Sequence, residues 1–273
     1  MFSNICRLAL ISAAVLSGPF QNSAVAENAA GPKVTDPHFH LAPGYLQPGE
    51  LPDSLVLLGA PPAEGSAALG RDEAAREAAI ALRGKARWEL ARTDADLQFP
   101  QPAKNFSCAI GADISEDKTP HLYNLMRRVL TDAGLSTYGV KNKYNRTRPF
   151  VVHNEGTCQP DEEAVLRQDG SYPSGHTAAG WAWALTLAEV KPERADNLLK
   201  RGLSFGQSRV ICNAHWQSDV DAGRIMGAAT VARLHSNPEF LADIQAARKE
   251  LETASSPTVD CAVEDQALSE QIQ

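Results

Sequence analysis

A single all-α domain, a helical bundle, is predicted from three observations. Apolar residues recur at spacings of three and four from residue 71 to about residue 254. Thr119-Pro120, Lys191-Pro192 and Asn237-Pro238 are helix-opening pairs, and the alternation of β-branched residues that marks strands is nearly absent.

The elements follow in order. Residues 1–26 carry one basic residue, Arg7, then an apolar run from Leu8 to Leu16 and the small residues Ala24-Val25-Ala26. This reads as a signal peptide cleaved before Glu27, since the run is too short to span a bilayer. Residues 27–66, rich in Pro and Gly and ending in Pro61-Pro62, read as an irregular arm. From Arg71 to Leu97, Ala75, Ala79, Leu82, Ala86 and Leu90 mark one amphipathic helix, which Gly84 weakens without ending. Thr119 caps the next helix, Pro120 takes its first position, Leu122, Leu125, Met126 and Val129 share a face, and Gly134 closes it.

A second run starts near His176 and continues to Val190. A third, after Pro192, carries Ala195, Leu198, Leu199 and Leu203; a fourth covers His215 to Leu234; a last one runs from Pro238 to about Ala254. The helical domain is thus expected over residues 67–254, with a loose tail over 255–273. Ala178 to Val190 is uncharged until Glu189, but it is only about two-thirds of the length a spanning helix needs, so it reads as a buried core helix.

The formal charge is −7, with 43% hydrophobic and 22% charged residues. Loss of the leader removes Arg7 and no acid, giving −8. Such a surface argues against nucleic acid or an anionic membrane as the main partner. Cys6 leaves with the leader. Cys108, Cys158, Cys212 and Cys261 remain, enough for two bridges in any of three pairings, with four free thiols as the alternative. No CxxC metal pattern is present, and His38 and His40 fall in the irregular arm.

Chemistry concentrates in three short segments. Lys141 is followed by Arg148-Pro149; Pro173-Ser174-Gly175-His176 precedes the second helix; Ser208-Arg209 is followed by His215 and Asp219. Transfer of a phosphoryl group spreads negative charge over three equatorial oxygens, so a site without metal needs several cations and donors. Arg148 and Arg209 offer planar forks and Lys141 a point charge. Ser174 and Gly175 stand at a helix start, where free N–H groups favour anions. His215 and Asp219, four apart and expected on one helical face, pair a nucleophilic ring with an orienting carboxylate. His176 is a proton donor of suitable pKa. Taken singly, each cation is an ordinary surface charge and each His–Asp pair an ordinary ion pair.

Together they resemble the signature of the type 2 phosphatidic acid phosphatase superfamily, which holds bacterial non-specific acid phosphatases, lipid phosphatases and vanadium haloperoxidases. Lys141, Arg148, Pro149, Pro173, Ser174, Gly175, His176, Ser208, Arg209, His215 and Asp219 fill its positions in order. Each residue type is expected at about one site in twenty, so chance agreement is remote. Gly170-Ser171-Tyr172, Phe106-Ser107-Cys108 and the run from His215 to Arg224 are similar to the class A secreted enzymes, and the resemblance covers about residues 55 to 240.

The resemblance implies an all-α fold of the acid phosphatase/vanadium haloperoxidase type and hydrolysis of phosphomonoesters without a cofactor or metal. It makes His215 the nucleophile, Asp219 its orienting partner, and His176 the group that protonates the leaving oxygen and later activates water. It places Lys141, Arg148, Ser174, Gly175 and Arg209 on phosphate, with Pro149 and Pro173 shaping loops and Ser208 supporting Arg209 or touching phosphate. Partners implied are small phosphomonoesters, with inorganic phosphate or vanadate as inhibitor; a homo-oligomer, the natural substrate and the balance of hydrolysis against phosphotransfer are left open. Two other readings stand beside this one. A vanadium haloperoxidase would use the same cage, although such enzymes are usually much longer; a periplasmic phosphate-binding protein would need the cations but not the two histidines and Asp219. A lipid phosphatase would need spanning runs of about twenty apolar residues, which the mature sequence lacks.

Overall fold

The computed structural model describes residues 41–270. The leader, His38, His40, the first part of the arm and the last three residues lie outside the described residues.

Among the described residues there are ten helices of seven residues or more: α1 (Ala67–Ile80), α2 (Ala86–Asp94), α3 (Gln101–Ile110), α4 (Pro120–Leu135), α5 (Tyr138–Tyr144), α6 (Gly175–Val190), α7 (Ala195–Ile211), α8 (Gln217–Leu234), α9 (Pro238–Leu251) and α10 (Cys261–Ser269). Shorter helical turns fill some connections, and no strand occurs among the described residues. The all-α expectation therefore holds.

Helix α6 forms the axis of the bundle, with α4, α7 and α8 packed around it. It is apolar nearly all round, and Ala178, Ala179, Ala182, Trp183, Ala184 and Leu187 are fully buried, as expected of a helix enclosed on every side. Trp183 donates its indole N–H to the Met126 carbonyl at 2.8 Å, which satisfies the one polar atom the ring carries into the core. Its ring packs edge-on against Phe106 and Phe205 at centroid distances of 5.9 and 5.7 Å. No helix of the described residues is long and apolar enough to cross a membrane.

Two glycines let α8 lie directly on α6. A Cβ on Gly223 would stand 2.6 Å from the Ser174 carbonyl oxygen, and one on Gly227 would stand 2.5 Å from that of Ala178. Backbone cannot swing aside as a side chain can. Gly227→Ala is therefore expected to destabilise the protein by about 1–2 kcal/mol net of the helix propensity alanine returns. The midpoint of urea unfolding reads this; an unchanged midpoint would mean that the two helices separate freely. The close approach sets the start of α8 beside the start of α6, where the Ser174 N–H donates to the Asp219 carbonyl at 2.9 Å.

Three expectations need correction. The single helix over residues 71–97 is two, because Gly84 takes a left-handed φ of +74°, a conformation open to glycine but one that ends a right-handed helix. Helix α8 begins at Gln217 rather than His215, so the histidine stands on the preceding loop. The stretch after Ser255 is not a loose tail over its described length. Asp260 caps α10 by accepting from the Ala262 N–H at 3.0 Å, Cys261 is bridged to Cys108, and Glu264 lies 3.2 Å from Arg201 Nε. Helices α3 and α5 add to the sequence reading.

The second bridge joins Cys158 to Cys212. Of the three pairings open to the sequence, the structure has Cys108–Cys261 and Cys158–Cys212.

Candidate active site

The three segments meet at one end of the bundle. Lys141, Arg148, Gly175, His176 and His215 line a single cavity of about 340 Å³, with Leu97, Leu130, Leu135, Tyr138 and Leu166 forming part of its wall. Lys141 comes from α5, Arg148 from the loop after it, Gly175 and His176 from the first turn of α6, Arg209 from the last turn of α7, and His215 from the loop leading into α8. Helix ends deliver the polar groups, while the helix bodies supply the core.

The cations are buried: Lys141, Arg148 and Arg209 are 4%, 2% and 0% exposed. Charge at such depth is tolerated only against partners. Lys141 Nζ donates to the Gly170 carbonyl at 2.6 Å and lies 3.2 Å from Asp169 Oδ2. Arg148 donates Nε to the carbonyls of Leu166 and Asp169, Nη2 to Asp169 Oδ2 at 2.9 Å, and Nη1 to the Ala214 carbonyl at 3.0 Å. Burial, above all, pulls both their pKa values down, and Asp169 pulls the other way. Arg209 differs. Its Nη1 donates to Gln159 Oε1 at 3.0 Å, but Nε and Nη2 are buried without a hydrogen-bond partner. Those two atoms form one edge of the guanidinium fork, the edge that grips two oxygens of a phosphate. Burial, then the neighbouring Arg148 charge, lowers the Arg209 pKa to about 9.

His215 Nε2 lies 3.0 Å from Arg148 Nη1. An arginine only donates, so Nε2 holds a lone pair and the ring proton sits on Nδ1. Nδ1 stands 3.4 Å from Asp219 Oδ2, a long contact for a hydrogen bond but well within ion-pair range. The pairing expected from a shared helical face is thus made differently: the histidine precedes the helix, and Asp219, in its first turn, reaches back to accept the Trp216 N–H at 2.9 Å. Burial first, then Arg148, Arg209 and Lys141, push the His215 pKa well below the ordinary imidazole value. Burial and the Arg209 charge do the same to His176. His176 Nε2 lies 2.9 Å from the Ala95 carbonyl, which can only accept, so Nε2 carries a proton and Nδ1 is left as the second ring nitrogen.

The chain is similar to several bacterial acid phosphatases. The non-specific acid phosphatase of Providencia stuartii is 48% identical over 207 residues, 76% of this chain and 84% of that one. That of Salmonella typhimurium is 46% identical over 208 residues, covering 76% and 83%. The acid phosphatase of Zymomonas mobilis is 40% identical over 268 residues, covering 96% and 97%. The family profile of the PAP2 superfamily matches residues 124–241. The chain belongs to this acid phosphatase family.

Ser208 and Ser174 also make contacts in this acid phosphatase that the sequence reading did not anticipate. Ser208 does not reach Arg209. Its hydroxyl donates to Asp94 Oδ2 at 2.6 Å and accepts from Arg87 Nη1 at 3.0 Å, in a buried network that also holds the Arg201–Asp94 ion pair. The Ser174 oxygen is engaged in capping α6, accepting from the Thr177 N–H at 3.2 Å and from its hydroxyl at 3.0 Å.

Residues that the sequence reading passed over complete the candidate site. Asp169 holds Lys141 and Arg148 together and stands just before the quoted Gly170-Ser171-Tyr172 run. Gln159, next to the Cys158 bridge, donates to the Ala95 carbonyl at 3.1 Å while accepting from Arg209, so one amide ties the supports of both. Arg146 binds Asp219; as one of four basic residues from Lys141 to Arg148, it was open to notice. Asp72, which binds Arg146 from α1, had no local signal.

Proposed function

We propose that this acid phosphatase hydrolyses a broad range of phosphate monoesters through a phosphohistidine on His215, without a metal or other cofactor. The observation that carries the reading is the buried, unpartnered edge of Arg209 beside a neutral His215 whose Nε2 lone pair faces the cation cluster. Lys141, Arg148, Arg209, the Ser174 hydroxyl and the Gly175 N–H take the phosphoryl oxygens. An incoming oxygen is the better acceptor for Arg148 Nη1, and by taking that donor it releases the Nε2 lone pair for attack.

Nε2 then bonds to phosphorus as the P–O bond to the leaving group breaks, and protonated His176 gives that oxygen its Nδ1 proton. Asp219 stabilises the cationic ring. In the second step water gives a proton to His176, its oxygen bonds to phosphorus, and the P–N bond breaks to return neutral His215. An alcohol reaching the intermediate in place of water would be phosphorylated, so phosphotransfer accompanies hydrolysis.

The pH dependence follows in sign. His215 must be neutral, so rate is lost as pH falls through its pKa, which burial and three cations hold below the ordinary value of about 6.5. His176 must be protonated, so rate is lost as pH rises; a bound phosphate dianion opposes the depression that burial and Arg209 impose on it. A bell with its maximum below about pH 6.5 is expected, its limits belonging to the coupled groups. Steady-state hydrolysis of an aryl phosphate with chelator present, across pH, measures it. A rate climbing steadily into alkaline pH removes His176 as the acid, and dependence on added metal removes the reading.

Inorganic phosphate and vanadate are expected to inhibit competitively; vanadate-dependent halide oxidation would favour a haloperoxidase instead. The apolar first segment with its Ala24-Val25-Ala26 end and the two bridges support export to the periplasm.

A further inference from the structure

We infer that Arg146, held in place by Asp72, is a positioning residue for the nucleophile: it pins one oxygen of Asp219, leaving the other for His215. The inference rests on the reading of His215 as nucleophile given above.

The geometry is that of a fork between two carboxylates. Arg146 Nη1 donates to Asp219 Oδ1 at 2.6 Å and to the Ser218 hydroxyl at 2.8 Å, and Nη2 donates to Asp72 Oδ2 at 2.7 Å. The second oxygen of Asp219 accepts the Trp216 N–H and faces His215 Nδ1 at 3.4 Å. With one oxygen tied to Arg146, the carboxylate cannot turn about Cβ–Cγ without breaking a charge-assisted bond, so the other stays on the histidine. Asp72 is itself over-determined. It accepts the Ser218 N–H at 2.8 Å and the Ser218 hydroxyl at 2.6 Å, and so fixes Arg146 to the first turn of α8. The guanidinium also lies 5.2 Å from the centre of the Trp216 ring, whose indole N–H donates to the Thr147 carbonyl at 2.9 Å. Arg146, Asp72 and Asp219 have side chains 9%, 3% and 0% exposed.

An enzyme working in acid must keep this carboxylate charged. Burial raises the Asp219 pKa, and Arg146 is the main group opposing it. The other charged or titratable groups facing Asp219 are His215, whose neutral ring offers no charge, Lys141 and Arg148 farther off across the cavity, and Tyr172. Asp72 reaches it only through Arg146 and Ser218. Take the Arg146 charge away and Asp219 takes up a proton at higher pH, so the phosphohistidine loses its counter-charge over the acidic range.

The test uses the full chain with an aryl phosphate, measuring kcat/KM against pH, inhibition by inorganic phosphate and the trapped phosphoenzyme. Arg146→Met is expected to lose about ten- to a hundredfold in kcat and to keep its phosphate inhibition constant within about threefold. Its acid limb should move up by about one pH unit or more. Arg146→Lys, which retains a cation, should keep the limb within about half a unit. An unmoved limb in Arg146→Met overturns the inference, as does weakened phosphate inhibition with kcat retained, which would put Arg146 on the substrate. Should Arg146→Met not be recovered folded, Arg146→Lys decides: kcat lower by about tenfold with phosphate inhibition intact supports the role, and wild-type kcat overturns it. Phosphoenzyme in the wild type is checked in the same preparation. Its absence sinks the reading of His215, whereas its presence with an unmoved limb sinks only the role given to Arg146.

Discussion

His215→Ala is expected to abolish turnover and phosphoenzyme together while leaving phosphate binding in place. Lys141 is held by Asp169 and the Gly170 carbonyl, and His176, with Nε2 on the Ala95 carbonyl, keeps only Nδ1, which the proposed mechanism uses as acid and base. The expected loss in kcat is at least about 10⁴-fold, in the range seen when a nucleophile is deleted. The three cations and the start of α6 remain, so calorimetric titration with inorganic phosphate should still show binding, with an affinity changed by less than about tenfold. Acid quench after mixing with a labelled monoester should show label on wild-type protein and none on the variant. Substantial turnover by His215→Ala would end the covalent mechanism, and loss of phosphate binding would mean that the ring holds the cage together rather than attacking.

His176→Ala is expected to divide substrates by their leaving groups. An alkyl phosphate leaves as a basic alkoxide that needs a proton in the transition state, and removing the donor should cost about 10²- to 10⁴-fold. A nitrophenyl phosphate leaves as a stable anion, so its first step should slow by less than about tenfold. Its second step still lacks the base that activates water, and phosphoenzyme should therefore accumulate, visible as a burst of nitrophenol followed by slow turnover. Equal losses for both substrates with no burst would show that His176 only shapes the first turn of α6. The Ala95 carbonyl supports the donor role, because a ring with Nε2 already bonded can take up and release its second proton at Nδ1 alone.

Much of the candidate site was legible because its residues are unusual in kind and closely spaced. Lys141 and Arg148, Ser174 to His176, and Arg209 to Asp219 each fit within one helix end and its loop, so short-range spacing carried the information. What escaped was of long range. Asp72 meets Ser218 across 146 residues, Gln159 meets Arg209 across 50, and Cys261 finds Cys108 across 153. A single aspartate or glutamine has no local mark of such a partner, and four cysteines permit three pairings equally well. The errors have the same source. Helix α1 stops at Ile80 and the chain turns through Gly84 toward α2, and the segment after Ser255 folds because Cys108 and Arg201 wait for it.

Periodicity and helix-opening pairs were enough to specify a helical domain, and eleven signature residues carried the resemblance to acid phosphatases and marked the candidate side chains, since these depend on neighbours within a few turns. Only packing could settle that Asp219 reaches back to a histidine outside its helix, that Arg146 and Asp72 stand behind it, and that one edge of Arg209 is buried without a hydrogen-bond partner. Those are consequences of distance in space, which burial and the close crossing of α6 and α8 set.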